Sequence, residues 1–264
     1  MAHSTIKSLE KHLPDGLVVN RAWLLDRGFK RPLVDYYLRS GALVSVARGA
    51  YRRPGPPLKW EHIVYSLQEL GYDIHVGGRS ALELQGFAHY LSMQGVKLIE
   101  LYGVDKLPGW VSQLEAPYQF ILCKPRLFDE PTPEAVTTKP FGHWDWLLRY
   151  ATPELALLEL VAEIKQDADF ERVDKLFDSA VSLRPQLIMD LLKACKSVKA
   201  KRLFLWFADR HRFAWFEHLE VDAVDLGSGK RVIVKGGSFN KRYQITVPRA
   251  LASERADGFE QPFL

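Results

Sequence analysis

Asn20 to Gly55 reads NRAWLLDRGFKRPLVDYYLRSGALVSVARGAYRRPG, and its punctuation decides the fold of the amino-terminal part of the chain. The Asn20 side-chain oxygen can accept from amides that lack partners in a first helical turn, which predicts a short helix from Asn20 to Gly28 with Trp23 and Leu24 on one face. Gly28 suits the left-handed residue that ends a helix, and Phe29 would seal the turn from below. Pro32 falls in a first helical turn, where its missing N–H costs nothing. Leu33, Val34, Tyr37 and Leu38 then recur at spacings of three and four, so a further helix is predicted over Arg31–Ser40. Arg31, Asp35, Tyr36 and Arg39 lie outside that stripe. From Leu43 the period becomes two: Leu43, Ser45 and Ala47 fall on one side, Val44, Val46 and Arg48 on the other, and Gly49 suits a tight turn before Tyr51.

Upstream, Ser4 to Leu13 is amphipathic, with Ser4 as its cap, and Pro14-Asp15-Gly16 stops it. Helix, helix, helix, hairpin within about 57 residues is the order of a winged helix-turn-helix. In such a head the third helix faces the major groove, which makes Arg31, Tyr36 and Arg39 candidates for DNA contact. Arg48, Arg52 and Arg53, expected at or beyond the hairpin tip, are candidates for phosphate or minor-groove contact. A solvated basic hairpin is the plainer account of the same arginines.

Charge argues in the same direction. Lys and Arg exceed Asp and Glu by seven in residues 1–60, fall nine short in residues 61–192 and exceed them by six in residues 193–264, which together give the chain its +4. A basic head, an acidic middle and a basic tail hide behind that small total. A head that neutralises several phosphates releases counterions, so its DNA binding should depend strongly on salt.

At 264 residues the chain exceeds a usual domain of about 100–150, which predicts a small head and a larger mixed body, an α+β protein. Pro54-Gly55-Pro56-Pro57 is the clearest boundary, dividing a head at 1–57 from a body at 58–264, although the limit could extend to about residue 95. The 47% apolar content, with seven Trp and fourteen Phe, is enough for a core and argues against disorder. There is no apolar amino-terminal segment, and the longest strongly apolar run, Leu203 to Ala208, is far short of the ~20 residues that span a bilayer, so a cytoplasmic protein is expected. Cys123 and Cys195 lack metal-like spacing and read as buried thiols of a reducing compartment.

Past the boundary, Lys59 to Leu70 restarts as a helix that could still pack on the head. Tyr72 to Val76 reads as a short strand, Ser80 as the cap of a following helix, and Lys97–Tyr102 and Tyr118–Cys123 as strands. Thr152, Asp169 and Pro185 start helices running to Ile164, Ser182 and about Val198. Leu203 to Ala208 forms another, and Arg231–Lys235 and Tyr243–Val247 are strands joined through Gly236-Gly237-Ser238.

Several constellations invite a chemical reading. Gly227-Ser228-Gly229-Lys230-Arg231 resembles the end of a phosphate loop, but Val224 stands where its first glycine belongs and Arg231 where Ser or Thr would hold magnesium. Gly77-Gly78-Arg79-Ser80 opens a helix whose free amides could hold an anion, although a plain turn accounts for it better. Glu163-Ile164-Lys165 has the E-x-K form of a metal-dependent nuclease, yet sits in a helical stretch with no acidic partner in view. Asp209 and His211 read as a surface pair. Lys196, Lys199, Lys201 and Arg202, with Lys193 before them, form a run that is either a solvated face or a second nucleic-acid surface.

Five stretches in order, GALVSVARGAYRRPG, HVGGRSALELQG, ATPELALLELVAEIK, SLRPQLIMDLLKACKSVKAKRLFLWFA and VDLGSGKRVIVKGGSFNKRYQITVP, resemble the AbiEi antitoxins of bacterial type IV toxin–antitoxin systems, from about Leu17 to Pro248. The resemblance implies a winged-helix head that binds inverted repeats in its own promoter and represses the operon. It also implies a body that counteracts a nucleotidyltransferase-like toxin without necessarily forming a stable complex with it. Carried onto this sequence, Arg31, Tyr36, Arg39, Arg48, Arg52 and Arg53 become the DNA-contact candidates, and Lys59 onward the antitoxin part. No catalytic residue, metal or cofactor is matched: Gly77, Gly78, Gly236 and Gly237 read as turns, and Leu155, Leu158, Leu203 and Tyr243 as core. Two half-sites need two heads, and no heptad seam specifies a dimer, so a monomer or weak dimer that pairs on DNA is expected. Two other readings compete. One is a ligand-responsive winged-helix regulator, which requires a sizeable pocket in the body. The other is a nuclease, which requires Glu163 and Lys165.

Overall fold

The computed structural model describes residues 2–87, 97–103, 105–124, 126–129, 132–141 and 145–253, with side chains from Lys7 to Ala252. The elements in chain order are α1 (Ala2–His12), β1 (Val19–Asn20), α2 (Arg21–Asp26), α3 (Arg31–Ser40), β2 (Val44–Ala47), β3 (Ala50–Arg52), α4 (Trp60–Glu69), β4 (Ile74–Val76), α5 (Gly78–Leu84) and β5 (Lys97–Gly103). There follow β6 (Tyr118–Cys123), β7 (Val136–Phe141), β8 (Trp146–Ala151), α6 (Pro153–Glu163), α7 (Asp167–Phe177), α8 (Pro185–Ala194), α9 (Val198–His211), β9 (Ser238–Asn240), β10 (Ile245–Val247) and α10 (Arg249–Ser253). This is an α+β protein. Among the described residues no helix is long and apolar enough to cross a membrane.

The head is built as its local chemistry dictates. Asn20 Oδ1 accepts the Trp23 N–H at 2.8 Å and starts α2. The helix closes on Gly28 at φ +85°, where the Gly28 N–H reaches the Leu25 carbonyl at 2.9 Å and the Phe29 N–H the Leu24 carbonyl at 3.0 Å. These paired bonds satisfy the orphan carbonyls of the last turn. Helix α1 begins at Ala2, so Ser4 lies inside it and is not its cap. The hairpin β2–β3 turns at Gly49 (φ +84°) with a register shift between Ser45 and Ala47, and β1 adds a third strand in the order β1-β3-β2. Leu9, Leu13, Trp23, Leu24, Phe29, Val34, Tyr37 and Leu43 form the buried core beneath.

The run Pro54–Pro57 is held against the hairpin. Arg52 donates to the Gly55 and Pro56 carbonyls at 3.1 and 2.6 Å and folds that run back on the hairpin. Helix α4 then packs on the head: buried Ser66 accepts the Val18 N–H at 2.8 Å, and a Cβ on Gly16 would lie 2.5 Å from the His62 ring. The compact units are Met1–Val76 with Ser92–Lys124 and Thr138–Tyr150, and Gly77–Leu91 with Pro125–Thr137 and Ala151–Leu264. The first unit therefore also carries the sheet β6-β5-β4-β8-β7, in which β5 runs parallel to β6 and antiparallel to β4, and β4 parallel to β8. Trp146 on β8 stacks on Tyr65 of α4 with ring centroids 4.4 Å apart, which joins the sheet to the head's core.

The second unit is centred on α6, buried over Glu154–Val161 and packed by α5, α7, α8 and α9. Phe170, Phe177, Phe204, Phe207 and Trp206 fill the space around it. Three helix starts differ from expectation, the first being α9, which begins at Val198 and not at Leu203. Helix α7 begins at Asp167, and Asp169, in its first turn, accepts the Lys165 and Gln166 N–H groups at 2.9 and 3.2 Å instead of occupying the cap. Ser80 lies inside α5, whose cap is Gly77. Near the carboxyl end Arg231–Lys235 holds one bridge, Arg231 to Ile245, while the antiparallel hairpin is β9–β10.

Candidate nucleic-acid interface

Val34 and Tyr37 are fully buried and anchor α3 to the head, which leaves Arg31, Asp35, Tyr36 and Arg39 exposed together on its outer face. Asp35 would repel a phosphate, but Arg21 donates to it through two nitrogens at 2.9 Å and neutralises it. That hydrogen bond also raises the Arg21 pKa above its ordinary value. Tyr36 is 40% exposed although aromatic, and Arg39 Nε leans on the Asp35 carbonyl at 3.3 Å. At the wing tip Arg48 is exposed beside Gly49, with no side-chain partner among the described residues. Arg31, Tyr36, Arg39 and Arg48 are thus presented to solvent by a helix and a hairpin that share one core.

Arg52 and Arg53 are placed otherwise. The register Val44 to Arg52 and Ala47 to Ala50 puts Arg52 at the base of the hairpin, away from its tip, where it bonds the Gly55 and Pro56 carbonyls. Arg53, 20% exposed, lies 3.0 Å from Asp15 and 3.4 Å from Glu10, and points back at the end of α1. Both brace the fold. Sequence reasoning passed over Arg27, whose guanidinium sits 3.6 Å from the centre of the Trp23 ring, and exposed Lys30 just before α3. The spacing of four from Trp23 to Arg27 on one helix is a signal that could have found the first.

The basic run in the second unit is not a solvent-facing patch. Lys196 pairs with Asp129, and Lys199 donates to the Ala162 carbonyl at 2.9 Å and to that of Ile164, at the end of α6. Burial lowers the Lys199 pKa. Lys201 and Arg202 are 5% and 2% exposed because α9 is buried on most of its circumference. The Arg202 guanidinium donates to four carbonyls, those of Leu226 (2.8 Å), Gly227 (3.0 Å), Gly229 (2.7 Å) and Gln244 (3.2 Å). The Gly227–Arg231 segment thus presents carbonyls to a cation, the opposite polarity to a loop that presents amides to phosphate.

The remaining constellations are also engaged. The Gly78 N–H donates to buried Glu159 at 2.9 Å, so the start of α5 already holds a carboxylate. Glu163 lies 3.7 Å from Lys165 across the end of α6, and among the described residues no three His, Cys, Asp or Glu converge as a metal site. His211 is not a surface group: its side chain is 2% exposed, 2.8 Å from Asp174 and 3.1 Å from Asp178, and stacked on Phe213. Cys195 is buried and its thiol pKa raised by that burial, whereas Cys123 is half-buried.

A family profile described as an AbiEi antitoxin N-terminal domain of a transcriptional regulator matches residues 2–93. A second, described as a transcriptional regulator and AbiEi antitoxin of type IV toxin–antitoxin systems, matches residues 97–248. No curated protein matches the chain. Its fold is similar to the crystal structure of the RV2827C protein from Mycobacterium tuberculosis, with a TM-score of 0.56 and 16% identity over 93% of this chain and 90% of that one. The two profiles together account for the head, the sheet and the helical unit, and the chain belongs to the AbiEi antitoxin family, the transcriptional regulators of type IV toxin–antitoxin systems.

Proposed function

We propose that this protein represses its own operon by binding inverted repeats in the promoter through the winged helix, and that the rest of the chain counteracts a nucleotidyltransferase-like toxin. The reading assigns α3 to the major groove, with Arg31, Tyr36 and Arg39 toward bases and backbone, and Arg48 to phosphate or the adjacent minor groove. One observation carries it: an arginine- and tyrosine-bearing helix face whose single acid is already neutralised by Arg21, together with an exposed arginine at a hairpin tip that has no side-chain partner among the described residues. Arg52 and Arg53 enter as braces of the wing. Two copies, monomeric or weakly associated when free, would occupy the two half-sites. The proposed function requires no chemistry at Glu163 or Lys165.

The test has two arms. Binding to a fluorescent promoter fragment should fall for all sequences with Arg48→Ala, while Tyr36→Ala or Arg39→Ala should reduce the preference for promoter over random DNA by about 1–3 kcal/mol. Growth of bacteria expressing the neighbouring operon gene should be rescued by the full chain. Equal affinity for promoter and random DNA would refute the repressor half, and a harmless neighbour or failed rescue the antitoxin half.

A further inference from the structure

The second unit contains a cavity of about 410 Å3 between the end of α9, the β9–β10 hairpin and α10. That volume lies in the usual range of about 300–1,000 Å3 for small-molecule sites. Its lining is mostly polar, with Trp206, Val247 and Leu251 buried beneath it: Ser238 and Asn240 supply neutral polar groups, and Arg210, Arg212 and Lys241 bring three cations against one carboxylate, Asp209.

Two of those four charges are already answered. Arg210 lies 3.1 Å from Asp174 and donates to the Leu251 carbonyl, which fastens α10 in place. Asp209 accepts from Arg242 at 2.8 Å and from the Tyr243 hydroxyl at 3.0 Å. The other two are not: among the described residues neither the Arg212 nor the Lys241 side chain has a hydrogen-bond or ion-pair partner. Arg212 is moreover held at φ +51°, ψ +43° as the residue that caps the end of α9, with its N–H on the Asp209 carbonyl at 3.1 Å. A non-glycine residue pays about 1–2 kcal/mol for that conformation, and glycine would fill the place without strain. A strained position that keeps a long cationic side chain on a cavity wall points to use of that side chain.

We propose that this cavity binds a small organic phosphate, with Arg212 and Lys241 holding the phosphate group and Ser238 and Asn240 facing a polar, hydroxyl-bearing organic part. A phosphate monoester carries nearly two negative charges near pH 7 and so matches two uncompensated cations, one of them a guanidinium fork suited to paired oxygens. The volume exceeds what a bare phosphate ion fills. This site is independent of the operator-binding reading, and either can fail without the other.

Isothermal titration of the full chain at low salt with adenosine monophosphate, ribose 5-phosphate and inorganic phosphate tests it. At least one ester should bind saturably, one per chain, at least about tenfold tighter than inorganic phosphate. The Arg212→Gly/Lys241→Ala variant should lose about tenfold or more in that affinity, which corresponds to about 1.4 kcal/mol. Its melting temperature should stay level or rise, because glycine relieves the left-handed strain, and this separates a lost site from a lost fold. Absence of saturable binding by either ester at millimolar concentration, inorganic phosphate binding as tightly as the esters, or an unchanged affinity in the variant would each overturn the proposal.

Discussion

Arg53→Ala should weaken the fold and spare the electrostatics of DNA binding, and Arg48→Ala should do the reverse. The Arg53 guanidinium is 20% exposed, 3.0 Å from Asp15 and 3.4 Å from Glu10, whose side chains are 46% and 50% exposed. Partly solvated pairs are worth about 0.2–1 kcal/mol each. The long contact to the Leu13 carbonyl at 3.4 Å adds little, but buried Asp15 Oδ1 loses Arg53, its one partner among the described residues. Together these set the cost at about 1–2 kcal/mol, or a fall of roughly 2–8 °C in melting temperature for a protein of this size. Arg48 is exposed and has no hydrogen-bond or ion-pair partner among the described residues, so its removal should leave the melting temperature unchanged. If it meets one phosphate, the slope of log affinity against log salt flattens by about 0.9. Thermal melts and fluorescence anisotropy on a promoter fragment from 50 to about 200 mM salt read both quantities. An Arg53→Ala protein with an unchanged melt and a slope flattened by about one unit would refute the brace, and an unchanged slope in Arg48→Ala would refute the wing-tip contact.

Three further outcomes are expected. Arg202→Met removes a buried guanidinium that donates to four carbonyls, of which that of Gln244 keeps the Arg231 N–H and those of exposed Gly227 and Gly229 can turn to water; with hydrogen bonds to a charged group worth about 1.5–3 kcal/mol each, a net loss of about 3 kcal/mol should appear in urea melts. Asn20→Ala removes the cap of α2 and should cost about 1 kcal/mol, seen as a lower melting temperature with an unchanged circular dichroism spectrum. Burial holds the His62 pKa below its ordinary 6.5, against the pull of Glu61 and with some help from Lys59 and Arg52. Its Nδ1 also accepts the Lys59 N–H at 3.0 Å, which only the unprotonated nitrogen can do. The unfolded chain therefore takes up this proton first as pH falls, so the contribution is complete above pH 6.5 and is lost below it. His62→Gln should flatten the melting-temperature profile in that window, and an identical profile would exclude His62 as its source.

Legibility in the sequence followed the distance between a residue and its partners. Asn20, Gly28, Pro32 and Gly49 act on amides and carbonyls within a few positions, and the helices and wing they punctuate stand where the local pattern put them. Strand β1 is two residues long and exists only because Tyr51 and Ala50 come to lie opposite Val19 and Asn20, which no local period announces. Strand β7 carries Pro140 at a sheet edge, and β8 has Leu147 54% exposed on its outward side, so neither shows a clean alternation of apolar and polar residues. The same rule divides the candidate interface. Arg31, Tyr36, Arg39 and Arg48 could be read because they lie off an apolar stripe or at a turn. Arg53 could not, since Glu10 and Asp15 lie about forty positions upstream. Arg202 escaped for a different reason: its partners are backbone carbonyls, which a count of charged residues never registers.

That last point bears on how the charge of the chain converts into affinity. The head carries eleven Lys and Arg in residues 1–60, and a slope taken from all of them would approach −10 per head. Arg21, Arg52 and Arg53 are committed to Asp35, to the Gly55 and Pro56 carbonyls, and to Asp15 and Glu10. Lys7 and Lys11 belong to α1 and Lys59 to the cap of α4, outside the helix and hairpin to which DNA contact is assigned. What remains in or beside these is Arg27, Lys30, Arg31, Arg39 and Arg48, five cations, so the salt slope should be no steeper than about −4.5 per bound head. Truncating these one at a time should remove up to about 0.9 each, whereas charge removal at Lys196 or Lys199, which are already paired within the second unit, should remove none. A slope well beyond −4.5 per head that Lys196→Ala or Lys199→Ala flattens would restore the second basic surface and overturn the assignment of DNA contact to the head alone.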